Sequence, residues 1–235
     1  MIDRQEVLGA LSGVRDPELD EPITDLGFVS ALNIEDGIVS VTLRLPTYFC
    51  APNFAYLMVA DAREAVLSVP GVGRAQVVLD DHYASGELNA SVNAGSGFDE
   101  AFPGETEGPD LEELRDTFRR KSFVSRQEQL CRALLAGGRT PLELARMRLG
   151  EVPESEEFGT YLERRAELGL DVSADAPLIV DPDGKRVPET AVVEHLRFAR
   201  TVRVSIEGNA GLCRGLLETR YGTPGIGEKR EEATA

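Results

Sequence analysis

An α+β fold is what this sequence predicts: a small N-terminal α-β-β-α-β unit, its three-stranded sheet covered on one face by helices, followed by a mostly α-helical C-terminal region. Three observations carry that expectation. Two strand-like runs flank the turn signal Glu35-Asp36-Gly37. Proline punctuates the helix-like stretches on either side of them, at Pro17, Pro52 and Pro70. Beyond residue 110 the apolar residues recur at helical rather than alternating spacing.

The elements follow in order. Asp3, with Glu6 three residues later, has the form of a capping box. Val7, Leu8, Leu11 and Val14 then repeat at helical spacing. Pro17 disfavours the α region at Asp16, so the first helix ends there and the stretch to Asp25 reads as an acidic loop. Phe28–Ile34 is the first strand. Ile38–Leu45 is the second, with Val39, Val41, Leu43 and Leu45 alternating with Ser40, Thr42 and Arg44. Glu35-Asp36-Gly37 closes them into a hairpin. Pro52 suits the first helical position, and Phe54, Met58, Ala62, Ala65 and Val69 give a stripe that ends at Pro70-Gly71. A third strand, Ala75–Leu79, leads into Asp80-Asp81-His82.

Residues 95–110 are rich in Gly, Pro and acid and read as a linker. Asp110 then caps a long helix that runs to Gly137-Gly138, and Thr140-Pro141-Leu142-Glu143 is a second helix start. A further helix is expected over Ser155–Leu168. Leu178-Ile-Val, Asp181-Pro-Asp-Gly184 and Lys185-Arg-Val form a short hairpin signal. Helices are expected over about 189–200 and 208–220, while Thr201–Ile206 fits helix or strand. The domain limits this implies are 1–94, a linker at 95–110, a mainly helical domain at 111–222, and a disordered tail at 223–235.

The chain of 235 residues is 42% hydrophobic, ample for packed cores. No apolar run approaches the roughly 20 residues that cross a bilayer. No basic-then-apolar leader opens the sequence, so a cytoplasmic protein without membrane partners is expected. The net charge is −16, and residues 1–100 hold five Arg and no Lys against 16 acids, a formal −11. Such a surface repels phosphate backbones, which argues against nucleic-acid binding. It suits a cation or a basic protein partner, or solubility alone.

Three cysteines, Cys50, Cys131 and Cys213, lie far apart without a CxxC pair. That pattern excludes a disulfide framework and a four-ligand metal site read from spacing. Cys50 lies just before a helix start. A cysteine there faces the positive helix end and free backbone N–H groups, which favour thiolate chemistry; a buried structural thiol is the alternative. Asp16, Glu18 and Asp25 in one loop, and Asp80, Asp81 and His82 at a strand exit, offer ligands of the kind iron accepts, or else a helix-ending turn and a solvated strand end. Cys131, beside Leu130, Leu134 and Leu135, reads as core. Cys213, among small residues, reads as helix packing, and His195 lies on an amphipathic helix. Arg115, Arg119, Arg120, Lys121 and Arg126 form a basic helix face. GxSxG, Walker A, GxGxxG and HExxH motifs are absent from the sequence, so an enzyme is not expected.

Several blocks coincide with one family: Asp16-Pro17-Glu18; Ile23-Thr-Asp25-Leu-Gly27-Phe-Val29; a Val-x-Val-x-Leu strand; a Cys before a helix; Val69-Pro-Gly-Val72; and Val77-Val-Leu79. Over about residues 3–82 the chain resembles the DUF59/MIP18 family, which acts in iron–sulfur protein maturation or accompanies iron-dependent oxygenases. The resemblance implies Cys50 as a metal or sulfur ligand, with Asp16 and Glu18 shaping its site and Asp25, Thr47, Asp81 and His82 as additional candidates. Family members usually place the Cys directly before Pro; here Ala51 intervenes. Asp81-His82-Tyr-Ala-Ser and Arg203-Val-Ser-Ile-Glu-Gly-Asn-Ala-Gly resemble longer accessory proteins of bacterial soluble diiron monooxygenases of the propane type.

The function this implies is maturation of iron centres in client proteins. Iron or an iron–sulfur cluster would be held transiently or shared with a partner. One cysteine cannot supply the four thiolates a cluster normally takes, so a homodimer or a client metalloprotein, iron–sulfur or diiron, would complete the shell. The alternative is a metal-free binding or chaperone module for a monooxygenase hydroxylase. A thiol enzyme using Cys50 ranks last, for want of a base.

Overall fold

The computed structural model describes residues 2–102, 111–222 and 225–227. They form two compact units, Met1–Leu111 with Asn209–Ala235, and Glu112–Gly208.

In the first unit α1 (Arg4–Ser12) is capped by Asp3, whose side chain accepts the Gln5 N–H. The expected acidic loop is not irregular throughout. Arg15–Asp16 (β1) and Glu21–Pro22 (β2) pair antiparallel. The turn between them is held by an Arg15–Asp20 ion pair of 3.0 Å, with Asp20 buried at positive φ. Two-residue strands are too short to leave an alternation in the sequence.

β3 (Val29–Glu35) and β4 (Ile38–Arg44) form the expected hairpin. Asp36 and Gly37 both adopt positive φ, the geometry that two-residue hairpin turns require. α2 (Pro52–Leu67) then carries the chain back to β5 (Arg74–Asp80), which pairs parallel to β4. The sheet is therefore mixed, in the order β3-β4-β5. In register, Val39, Val41 and Leu43 stand beside Ala75, Val77 and Leu79, all buried. They share a core with Met58, Val59 and Ala62 of α2. Each fully buried Val or Leu contributes roughly 1.5–3 kcal/mol, so this apolar face outweighs any single polar contact around it.

α3 (Ser85–Ala94) was not expected, because Gly, Ser and Asn weaken its helical signal. Its role explains its composition. Asn89 accepts from the Leu79 N–H (2.8 Å) and donates to the Leu79 carbonyl (3.0 Å). Asn93, one turn on, does the same to Val77 at 3.2 and 2.9 Å. Two side-chain amides thus pair the free edge of β5. At the other edge Gly227 bonds Ser30 and Leu32 of β3. Both edges of the sheet are covered, which removes a template for intermolecular pairing. α4 (Phe98–Ala101) lies inside the expected linker, where the Phe98 and Phe102 rings meet at a tilt and Phe98 packs edge-on against Tyr56. Residues 103–110 of that linker lie outside the described residues, as does the expected tail apart from 225–227.

The second unit comprises α5 (Leu111–Ala136), α6 (Pro141–Arg146), α7 (Glu156–Glu167) and the first half of α8 (Val192–Tyr221). α6 has the expected capping box between Thr140 and Glu143. The Asp181–Gly184 turn closes on a bridge between Val180 and Arg186. Residues 176–180 contribute to this core, and buried polar side chains serve their carbonyls. Tyr161 donates to Leu178 O (2.7 Å), Gln127 to Val180 O (3.0 Å) and Arg165 to Pro177 O (2.9 Å). His195 bonds the Gln127 amide oxygen at 2.6 Å. Cys131 is fully buried here, and burial pushes its thiol up to about 12.

The two helices expected near 189–200 and 208–220 are one, with Thr201–Ile206 helical between them. β-branched residues there lower helix propensity by only tenths of a kcal/mol each, and packing overrides it. The helix serves both units: Ala199 belongs to the second core, while Ala210 and Leu217 belong to the first.

Candidate functional site

Cys50 lies in the loop that joins β4 to α2. Ala51, the residue that separates it from proline, is the N-cap, and Pro52 opens the helix. The thiol is half-buried and lies 3.3 Å from the Thr47 hydroxyl. Its loop is held by the segment that leaves β5 at the same end of the sheet. His82 Nδ1 accepts the Ala84 N–H (3.2 Å), which leaves the ring proton on Nε2, and Nε2 donates to the Cys50 carbonyl at 2.7 Å. The Tyr83 N–H donates to the Tyr48 carbonyl at 3.1 Å. His82 is buried and both ring nitrogens are engaged, so it positions the cysteine loop.

Asp16 is buried, and its carboxylate accepts the N–H groups of Glu18 and Leu19, each at 2.9 Å. Burial pushes its carboxyl up to about 6. The two N–H bonds oppose that shift and the neighbouring Glu18 charge adds to it. Glu18 accepts from the Asn209 amide at 3.2 Å. Asp25 is exposed and takes a bond from the Thr24 hydroxyl, while Asp80 pairs with Arg44 on the sheet. The Asp81 carboxylate receives Arg220 and the Tyr221 hydroxyl, both at 2.7 Å. Thus Thr47 and His82 come to Cys50, whereas Asp25 and Asp81 are engaged elsewhere.

Two features escaped sequence reasoning. The first is an aromatic cluster beside Cys50. Tyr48, Phe49 and Tyr83 lie with ring centroids 5.0–6.4 Å apart, and Phe49 is 74% exposed. The second is Cys213 on α8. Burial, then the charges of Asp16, Cys50 and Glu18, push its thiol up to about 11, so all three lie within electrostatic reach. No spacing rule links Cys213 to Cys50; only the return of α8 does. Among the described residues, no group of three or more His, Cys, Asp and Glu side chains is arranged to hold a metal ion.

Fold and site together make an α+β module with a partly buried thiol at the entrance to a helix. The chain belongs to the MIP18/DUF59-like family of iron–sulfur cluster assembly proteins. The family described as iron-sulfur cluster assembly protein matches residues 4–77. An uncharacterised protein of Methanocaldococcus jannaschii is 31% identical over 90 residues, 38% of this chain and 93% of the relative. An Fe-S protein maturation auxiliary factor of Bacillus subtilis is 32% identical over 75 residues, 32% of this chain and 72% of the relative. An iron-sulfur cluster carrier protein of Synechocystis is 35% identical over 77 residues, 33% of this chain but 21% of that protein. No solved structure matches significantly.

Proposed function

We propose that the protein is a non-catalytic maturation factor that takes up an iron–sulfur cluster as cargo and passes it to a client metalloprotein, with Cys50 as the thiolate that holds it. The observation that carries this reading is the placement of Cys50. It is partly buried at the entrance to α2, its thiol touches one hydroxyl, and its backbone is clamped by a buried histidine. A carrier needs such a ligand: fixed in position, open to an acceptor, and too few in number to trap the cluster. Asp16 and Glu18 shape the acidic loop of the same unit. The exposed rings of Tyr48, Phe49 and Tyr83 give an acceptor a surface at the thiol, since aromatic side chains anchor interfaces efficiently. The client we favour is an oxygenase component, diiron or iron–sulfur. That choice rests on the likeness of residues 81–85 and 203–211 to diiron monooxygenase accessory proteins.

The test is anaerobic reconstitution of the full chain with ferrous iron and sulfide. Wild type is expected to gain visible absorption and bound iron, and Cys50→Ser to lose most of both. Equal, colourless and iron-free products overturn the reading. A second reading draws on the same aromatic cluster: a metal-free module that docks a monooxygenase hydroxylase. Capture of a hydroxylase that survives Cys50→Ser but not Phe49→Ala favours it.

A further inference from the structure

We infer that Cys213 is a second thiol of the Cys50 site, so that this chain brings two thiolates to its cargo, one from the family domain and one from α8. This deepens the carrier reading and rests on it. Three residues place α8. At its near end the Asn209 amide bonds Glu18, and Arg214 pairs with Glu21, which fixes the helix against the β1–β2 hairpin. Six to eleven residues further on, Arg220 donates to the Leu45 carbonyl (3.3 Å) and the Asp81 carbonyl (2.9 Å). Leu45 and Asp81 begin the two loops that meet at Cys50 through His82 and Tyr83. The helix is therefore pinned to the Asp16–Glu18 turn on one side of the site and to the foot of the Cys50 loop on the other.

Cys213 falls between those anchors and on the inner face. Ala210, three residues before it, and Leu217, four after, are buried in the first core, and residues at that spacing share one side of a helix. Cys213 and Cys50 are both partly buried against this same core. Two thiols make a soft pair of donors that a thiophilic metal fits. Each thiol gives up its proton to solvent as its sulfur–metal bond forms. An iron–sulfur cluster normally takes four thiolates, so half the set is present, and the acceptor or a second copy supplies the rest.

The experiment is a cadmium titration of the reduced full chain, read by the near-ultraviolet thiolate-to-metal absorption band. Wild type, Cys50→Ser, Cys213→Ser and Cys213→Ala are compared, with far-ultraviolet circular dichroism to verify folding. Cys213→Ala keeps helix propensity at that position. Each thiolate bound contributes its own band intensity, so the single variants are expected to show about half the wild-type band per cadmium and on the order of tenfold weaker binding. A Cys213 variant that keeps the full band and affinity, while Cys50→Ser loses them, overturns the inference and leaves the carrier reading standing. A band indifferent to both cysteines, or absent from wild type, overturns the inference and the carrier reading together.

Discussion

At the scale of the residue, the site is a set of polar groups with one task each. His82 uses both nitrogens on backbone, and Asp16 uses its carboxylate on two N–H groups of its own turn. The Asp16 carboxyl lies near 6 in the folded chain against an ordinary value of 3.8. Its folded value is raised, so the folded state binds that proton more tightly than the unfolded chain. The sign follows: the carboxyl does no harm to stability below about pH 4, and stability falls as pH rises from there through 6. Between pH 5 and 7.5 the expected loss is about 1 kcal/mol. Urea unfolding of wild type and Asp16→Asn at both pH values measures it. The variant keeps an acceptor oxygen for Glu18 and Leu19 and is expected to lack that component of the pH dependence. A slope equal to wild type refutes the assignment.

Local sequence made part of this scale legible. Cys50 stands before a proline that starts a helix, and the helix-start signal lies within a few residues of it. Asp16 could be singled out as the residue before Pro17, but its burial could not. That burial depends on the β1–β2 pairing, which two-residue strands do not announce. His82 is similar: its neighbour in sequence is a strand exit, while its partner is a carbonyl on another loop.

At the scale of the element, α3 is the instructive case. Its sequence, Ser-Gly-Glu-Leu-Asn-Ala-Ser-Val-Asn-Ala, is a poor isolated helix. Tertiary contact pays for it through Leu88 and Val92 in the core and through Asn89 and Asn93 on the edge of β5. Replacing both asparagines by alanine leaves two N–H and two C=O groups without those partners. The loss is expected to be about 1–2 kcal/mol per site, with a rise in self-association as the β5 edge opens. Chemical denaturation and sedimentation velocity test the two effects separately. A double variant that is as stable and as monodisperse as wild type would falsify the edge-pairing role.

The whole molecule has two cores, and the chain passes from one to the other and back. The second core is built round Phe123, which stacks on Tyr161 at 5.6 Å. Phe123→Ala is expected to cost about 3–5 kcal/mol of that unit's stability. Cys50 lies in the other core, so its alkylation rate by a small maleimide in the native protein is expected to stay at the wild-type value. A large change in that rate would show the two cores to be one cooperative body.

By itself the sequence determined the α+β class, the strand–turn–strand hairpin, the start of α2 and the position of Cys50. Each depends on residues within a turn or two of one another: alternation, paired positive-φ residues, a proline at a helix start. Tertiary structure alone decided that β5 runs parallel beside β4, that α3 forms, that α8 is one helix, and that its Cys213 packs against the same core as Cys50. Those outcomes rest on which faces bury each other across long stretches of chain. Burial energy is indifferent to sequence separation, and no local pattern encodes the partner.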